Sequence, residues 1–159
     1  MIAMVRDSTL QDALDMAYHL RKADLAELQA VVGNSLDTVD VLRGGIENSD
    51  NPKTVEFEGK PIAIFGVVNS GEVAPKTGMV WLLGTNKIKE IKTFFLRNSK
   101  EELEEQEKSY DLLANYVDCR NTVHIKWLKW LGFKFLREVN NYGAEQRKFY
   151  EFARVNLNV

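Results

Sequence analysis

The chain has 159 residues, 45% of them hydrophobic, a composition that fits one folded domain over residues 1–159 with a sizeable core. Its net charge of −2 excludes a highly charged disordered chain and a strongly basic nucleic-acid binder. One cysteine, Cys119, and two distant histidines exclude an internal disulfide and give too few ligands for a structural metal site. No stretch approaches the roughly 20 apolar residues of a membrane span, so we expect a soluble protein without a secretion signal.

The net charge conceals an uneven distribution along the chain. Residues 1–60 carry 6 basic and 11 acidic side chains, a net charge of −5, whereas residues 120–159 carry 8 basic and 3 acidic ones, a net charge of +5. Either the solvated faces of individual helices and strands differ in charge, or the C-terminal part carries a binding face.

The first third of the chain predicts helices after a short apolar start. Ser8 and Gln11 have the spacing of a capping box, and apolar residues at three- and four-residue spacing predict one long or two consecutive helices over residues 9–32. Ser35 is predicted to cap a third helix, which ends near the following glycine pair. The predicted inward residues of the first helical region are Leu10, Leu14, Ala17, Leu25, Leu28 and Val32.

The middle of the chain predicts a sheet and then a long helix. From Thr54 the apolar period is two residues, and a turn then leads into the continuous apolar run of residues 62–68, which predicts a hairpin entering the sheet centre. A third strand is predicted over residues 79–83. The helical pattern that follows continues to Leu113 with a break at Ser99, and its five glutamates between positions 101 and 107 predict a solvated face.

The last third of the chain alternates strands with one helix. The predicted elements are a strand at 114–117, a helix at 122–131 between the cap Asn121 and the terminator Gly132, and strands at 133–139 and 147–155 around a turn at 140–143. This order of helices and strands predicts an α/β layer architecture with a mixed sheet.

Residues 121–133 form the most specific segment, an N-capped helix that ends at Gly132 so that Phe133 begins a core strand. Together with the order of elements, this segment resembles the pattern N-x-x-A-x-x-L-Y-x-K-x-G-F of the GNAT superfamily of acyl-CoA-dependent N-acyltransferases. The resemblance covers nearly the whole chain. It implies a mixed, mostly antiparallel sheet flanked by helices, an acyltransferase activity, and acetyl-CoA or CoA as cofactor.

Two segments carry a narrower resemblance. Residues 110–117 and 121–129 are similar, in sequence and in separation, to the GNAT-related internal virion protein A family of short-tailed bacteriophages. This resemblance implies a phage protein made in the host cytoplasm that is needed for virion assembly or carried in the virion. Its partners would then be phage virion or assembly proteins.

The GNAT resemblance implies a pyrophosphate site on backbone amides at the start of the central helix. The family loop Q/R-x-x-G-x-G/A keeps only one glycine here, yet a helix start followed by lysines can still hold an anion; a solvated helix start has the same features. The residues that the resemblance assigns to cofactor binding are Leu83, Gly84, Thr85, Asn86, Lys87 and Asn121.

The catalytic residues cannot be assigned from the sequence. The GNAT pattern implies a tyrosine that protonates the departing thiolate, and Leu128 occupies that position, where it cannot donate a proton. The candidates for a general acid are Tyr116, Tyr110 and Cys119, and those for a general base are Glu56 and Glu58; for each of them the sequence favours a structural role. His124, at the alanine position of the pattern, is expected to pack or to hydrogen-bond.

Three functions remain open at this point. The altered loop and Leu128 favour a GNAT-like phage structural or assembly protein with weakened or lost chemistry over an active N-acetyltransferase that modifies a host or phage amine. The third is a binding module that uses the basic C-terminal part, where Lys126, Lys129 and Trp130 interleave charge and aromatic surface; the modest net charge favours a protein partner over nucleic acid.

Overall fold

The computed structural model describes residues 2–156, and this part of the chain contains seven strands and five α-helices. The strands are β1 (Ala3–Asp7), β2 (Lys53–Phe57), β3 (Lys60–Asn69), β4 (Thr77–Gly84), β5 (Leu112–Asp118), β6 (Lys134–Tyr142) and β7 (Arg147–Val155). The helices are α1 (Leu10–Met16), α2 (Lys22–Val32), α3 (Thr38–Asn48), α4 (Lys92–Glu107) and α5 (Thr122–Trp130), with 3-10 helices at Gly33–Ser35 and Asn86–Ile91. None of these helices is long and apolar enough to cross a membrane.

The seven strands form one sheet in the order β1-β2-β3-β4-β5-β7-β6. Every neighbouring pair is antiparallel except β4 and β5, which run parallel. The predicted α/β architecture, a mixed and mostly antiparallel sheet flanked by helices, is therefore confirmed. The hairpin predicted from Thr54 corresponds to β2 and β3.

β4 and β5 pair over only three residues and then separate. Thr77–Met79 lie beside Leu112–Ala114, although both strands continue beyond these positions. Where the pairing stops, the Asn115 side chain donates a hydrogen bond to the Val80 carbonyl oxygen at 2.9 Å. We call the opening beyond this bond, between the last residues of β4 and of β5, the β4–β5 crevice.

Helices cover both faces of the sheet. α4 and α5 pack on one face, where Phe65 and Val67 belong to the larger core cluster. α1 and α3 pack on the opposite face against Ile64 and Leu83. Because β3 lies inside the sheet with a helical layer on each side, both sets of its side chains are buried, which explains its continuous apolar run.

Two helices begin at residues other than those predicted. Thr9, not Ser8, is the N-cap of α1, and the Ser8 hydroxyl instead lies 2.7 Å from that of Thr54 on β2. Asp37, not Ser35, caps α3. In both places the sequence offers several side chains able to cap, and tertiary contacts decide between them.

The prediction for the inward face of α1 is confirmed at Ala17 and wrong at Leu10 and Leu14. Leu10 and Leu14 are 45% and 51% exposed, whereas Ala13, Met16 and Ala17 are buried against α3 and the sheet. The small alanine side chains allow α1 to approach its neighbours closely. Two predicted inward positions of α2 are also exposed, Leu25 and Val32.

α4 continues through Ser99, where the sequence predicts a break. Ser99 is fully buried, and its hydroxyl accepts a hydrogen bond from Trp127 Nε1–H at 3.0 Å. The helical geometry changes earlier, at Lys92, where the 3-10 helix becomes α-helical. The serine at the predicted break therefore joins α4 to α5.

The glutamate run is not entirely solvated. Glu107 is buried and accepts a hydrogen bond from Arg154 Nη2–H at 3.0 Å. Burial raises the pKa of Glu107 more strongly than Arg154 lowers it. The other four glutamates of the run are exposed or partly exposed, as predicted.

The end of the chain follows the prediction with one shift. The Asn121 side chain caps α5 by accepting the His124 N–H, and Gly132 ends the helix with φ of 87°, which favours glycine. β6 extends to Tyr142, so the final turn lies at residues 143–146 instead of 140–143.

Candidate functional site

The loop at the end of β4 is held by hydrogen bonds within the chain. Thr85 N–H donates to the Ile62 carbonyl oxygen at 2.9 Å, and Lys87 N–H donates to the Thr85 hydroxyl at 3.3 Å. Gly84 N–H donates to the Asp24 carboxylate at 3.0 Å. Three backbone amides of the predicted phosphate loop thus have partners in the protein itself.

The remaining residues of this loop have structural positions. Leu83 packs in the smaller core cluster, and Asn86 is exposed at the first position of the 3-10 helix. A Cβ at position 84 would lie 2.3 Å from Ile88 Cδ1. The single glycine that the loop retains is therefore explained by packing against Ile88.

Asp24 of α2 lies at the centre of a buried polar network. Its carboxylate accepts hydrogen bonds from the Arg21 guanidinium at 2.9–3.1 Å and from Asn121 Nδ2–H at 2.9 Å, in addition to the Gly84 amide. Arg21 and Asp24 are 6% and 1% exposed. The Arg21 backbone N–H also donates to the Gly84 carbonyl oxygen. Asp24 therefore ties the end of β4 to the start of α5 across the β4–β5 crevice.

Glu27, one turn further along α2, extends this network to the end of β5. Its Oε1 accepts the Asp118 N–H at 2.8 Å, and its Oε2 lies 3.9 Å from Nδ1 of His124. Neither ring nitrogen of His124 has a hydrogen-bond partner among residues 2–156. Burial raises the pKa of Glu27 to about 8 and lowers the pKa of His124 to about 4, so both are neutral between these values. The set that closes the crevice, which we call the crevice network, is Arg21, Asp24, Glu27, Asn121 and His124.

The crevice network determines what the crevice can bind. A pyrophosphate at the start of a helix needs free amides and positive potential. Here the Gly84 amide faces the carboxylate of Asp24, and the Asn121 side chain donates to the same carboxylate. In this arrangement the residues present do not fit an acyl-CoA pyrophosphate.

The structure does not bring the candidate catalytic residues together. The Tyr116 hydroxyl on β5 donates to Glu151 at 2.8 Å, and this hydrogen bond raises the pKa of Tyr116. Glu56 on β2 accepts a hydrogen bond from Arg6, and Glu58 is exposed in the β2–β3 turn. Two strands, β3 and β4, separate Tyr116 from both glutamates. These residues therefore form no acid–base pair.

Tyr110 and Cys119 also have structural surroundings. The Tyr110 hydroxyl donates to Asp50, and burial raises the pKa of Tyr110. Cys119 lines a pocket of about 490 Å³ between the β5–α5 connection and the β6–β7 turn. Burial raises the pKa of its thiol, which lowers the fraction of reactive thiolate. The three cations of this pocket are all paired, in the ion pairs Arg120–Asp118, Arg147–Glu145 and Lys148–Glu138.

Leu128, at the position where the GNAT pattern implies an acid, packs in the larger core cluster with 0% exposure. We expect Leu128→Tyr to destabilise the fold by about 1–3 kcal/mol, because a larger side chain overpacks a filled core. Val123→Tyr, at a half-exposed position of the same helix, is the matched control and should change stability by less than about 0.5 kcal/mol. Urea unfolding measures both, and equal midpoints for the two variants would contradict the burial of Leu128.

The sequence did not predict the crevice network as a site. Arg21, Asp24 and Glu27 recur at three-residue spacing, which places them on one face of α2. This spacing is visible in the sequence, but only the structure, in which Leu25 is exposed, shows that this polar face points inward. Asn121 was assigned to the cofactor, but the structure shows it bonded to Asp24.

Solved structures share this architecture. The alignment with "the acetyltransferase of GNAT family from Streptococcus pneumoniae" covers 97% of this chain and 99% of that protein, at 13% identity and a TM-score of 0.68. The alignment with the ribosomal-protein-S5-alanine acetyltransferase from Vibrio fischeri covers 98% of this chain and 94% of that protein, at 17% identity and a TM-score of 0.71. The alignment with a Salmonella typhimurium protein solved with its cofactor acetyl-CoA covers 96% of this chain and 93% of that protein, at 12% identity and a TM-score of 0.69. These similarities establish the GNAT fold.

Comparison of sequences gives the family. No curated protein sequence matches the chain. The profile of the family described as "Bacteriophage T7, probable scaffold protein Gp13" matches residues 54–140, a segment that includes β2 to β5, α4, α5 and most of β6. Because this match covers more than half of the 159 residues, the chain belongs to that phage protein family.

Proposed function

We propose that this protein is a bacteriophage structural or assembly protein in which the GNAT fold has weakened or lost its acyltransferase chemistry. The observation that carries the proposal is the closed β4–β5 crevice. Asp24 accepts the Gly84 amide, and it also holds the Asn121 side chain, so two of the six residues assigned to the cofactor are bonded to α2. A fold can keep its architecture while its site changes.

The positions expected to carry chemistry support the same proposal. Leu128 has no proton to donate and lies in the core, and Tyr116 and Glu56 lie on strands with two others between them. General acid–base catalysis needs groups within hydrogen-bond reach of the same substrate atoms. The arrangement therefore favours a folded scaffold over a catalyst.

The phage family suggests where this scaffold acts. The description of the matched family includes the words "scaffold protein". We propose that the chain folds as one GNAT-like domain over residues 1–159, is made in the host cytoplasm and acts on virion or assembly proteins, either during assembly or as part of the virion.

Two experiments test this proposal. An early stop codon in the gene should lower the yield of infectious particles, and the protein should be present in purified particles or in assembly intermediates. The purified protein should release no CoA from acetyl-CoA across a panel of peptides and polyamines. A normal particle yield without the protein would refute the assembly role, and turnover of an amine at a rate comparable to that of an active GNAT acetyltransferase would refute the weakened or lost chemistry.

One observation favours an active N-acetyltransferase as the alternative function. β4 and β5 separate after Met79 and Ala114, which leaves a gap in the sheet that the side-chain hydrogen bonds of the crevice network span. If α2 moved away, the segment from Leu83 to Lys87 could accept acetyl-CoA on its freed amides. Turnover in the amine panel is the outcome that selects this alternative.

A further inference from the structure

The surface of α4 has a charge order that does not stabilise the helix itself. Its N-terminal half is basic and its C-terminal half is acidic, with no acidic residue in the first turn and no basic residue in the last. A helix carries partial positive charge at its N-terminus and partial negative charge at its C-terminus, so this order opposes the helix dipole. The exposed or partly exposed charges of the two halves are Lys92, Arg97 and Lys100, and then Glu101, Glu102, Glu104 and Glu105.

Ion pairs between side chains of α4 do not compensate for this unfavourable order of charges. Arg97 and Glu101, like Lys100 and Glu104, are four residues apart, but the cation precedes the anion, which is the weaker orientation for such pairs. Among residues 2–156 these four side chains form no ion pair; the pairs nearby are Lys87–Glu90, Lys108–Glu105 and Arg154–Glu107. Apart from Glu105, which pairs with Lys108, the charges at the middle of α4 are therefore opposite in the two halves and without an ion pair among residues 2–156.

A half-exposed tryptophan lies beside the middle of α4. Trp130 of α5 is 51% exposed, its Nε1–H donates to the Leu96 carbonyl oxygen at 3.3 Å, and Lys100 Nζ lies 5.3 Å from the centre of its ring. Tryptophan is enriched at the centres of protein interfaces, where its ring is covered by a partner. The apolar surface therefore coincides with the point at which the charge of α4 changes sign.

From this pattern we infer that α4 is a self-complementary surface that binds a second copy of this chain in an antiparallel, two-fold arrangement. With the axis between Lys100 and Glu101, Arg97 faces Glu104 of the second copy and Lys100 faces its Glu101. Each contact occurs twice because of the symmetry, which gives four ion pairs. Antiparallel packing also places the acidic half of one α4 beside the N-terminus of the other, where negative charge is favourable.

Sedimentation equilibrium of the full chain at low ionic strength tests this arrangement. The wild type should show a monomer–dimer equilibrium that weakens as salt is raised, because exposed ion pairs are screened. Arg97→Glu should weaken dimerisation at least about tenfold, since it replaces two attractive contacts by repulsive ones. The double variant Arg97→Glu/Glu104→Arg should restore it, because opposite charges then face each other again.

Arg43→Glu is the matched control, since Arg43 is an exposed cation of α3 on the other face of the sheet and has no ion pair among residues 2–156. Its dimer should be as strong as that of the wild type. A protein that stays monomeric at all salt concentrations, a control variant as weak as Arg97→Glu, or a double variant without recovery would each overturn the inference. The result is independent of acetyl-CoA binding and of turnover.

Discussion

Replacing Asp24 with alanine should destabilise the fold by about 3–5 kcal/mol, the effect expected when one partner of a buried ion pair is removed. Asp24 is 1% exposed and satisfies the Arg21 guanidinium, the Gly84 amide and the Asn121 side chain together. Without the carboxylate, a buried cation and two buried donors lose their acceptor.

Urea unfolding of the Asp24→Ala variant measures this effect. Asp15→Ala is the control, because Asp15 is an exposed acid on α1 whose hydrogen bond to Gln11 is also exposed. Its stability should change by less than about 0.5 kcal/mol. If both variants unfolded at the wild-type urea concentration, the crevice network would have no structural role.

Glu27 should make the protein less stable as the pH rises. Its pKa is raised by burial from 4.5 to about 8 in the folded state. Between these values the unfolded chain releases a proton that the folded chain retains. The contribution of Glu27 to the free energy of unfolding is therefore fully present below about pH 4.5 and is lost as the pH rises to about 8. His124 has the opposite effect, at acid pH. Burial lowers its pKa from 6.5 to about 4, so its contribution to the free energy of unfolding is lost as the pH falls through that range.

Glu27→Gln should remove the alkaline decline and leave the acid decline intact. The glutamine oxygen can still accept the Asp118 N–H, but the side chain no longer ionises. At pH 8 the variant should be more stable than the wild type by on the order of 4 kcal/mol, and at pH 4.5 the two should be alike. The free energies of unfolding of both proteins, measured across this pH range, test this prediction. If the two curves of free energy against pH were parallel, Glu27 would ionise normally.

Much of the fold could be predicted because local patterns determine it. The alternation at Val55 and Phe57, the apolar run of β3 and the Asn121 cap specify their elements whatever packs on them. The inward face of α1 could not be predicted, because the helix is apolar on both sides and close approach to the sheet selects its alanines.

The site could be predicted only in part. The position of the loop from Leu83 to Lys87 at the start of the helical region after β4 follows from the sequence order. What bonds to its amides could not be predicted, because Asp24 lies 60 residues earlier and a carboxylate on a helix has the same pattern whether it faces solvent or the interior.

Buried ion pairs do not explain the net charge of −5 in the first 60 residues. Asp12 and Asp24 are buried and bonded to Arg6 and Arg21, and both arginines belong to the same 60 residues. These pairs are neutral, so other acidic side chains carry the excess. The charge that remains unpaired on the surface of α4 instead changes sign along a single helix.

Calorimetric titration of the full chain with acetyl-CoA tests the central claim most directly, with an active GNAT acetyltransferase as the positive control. A crevice closed by Asp24 and its partners predicts no saturable heat at micromolar concentrations of the cofactor, under conditions in which the control enzyme binds. Saturable binding with a micromolar Kd would contradict the claim, because the Gly84 amide would then have to be free to hold the pyrophosphate.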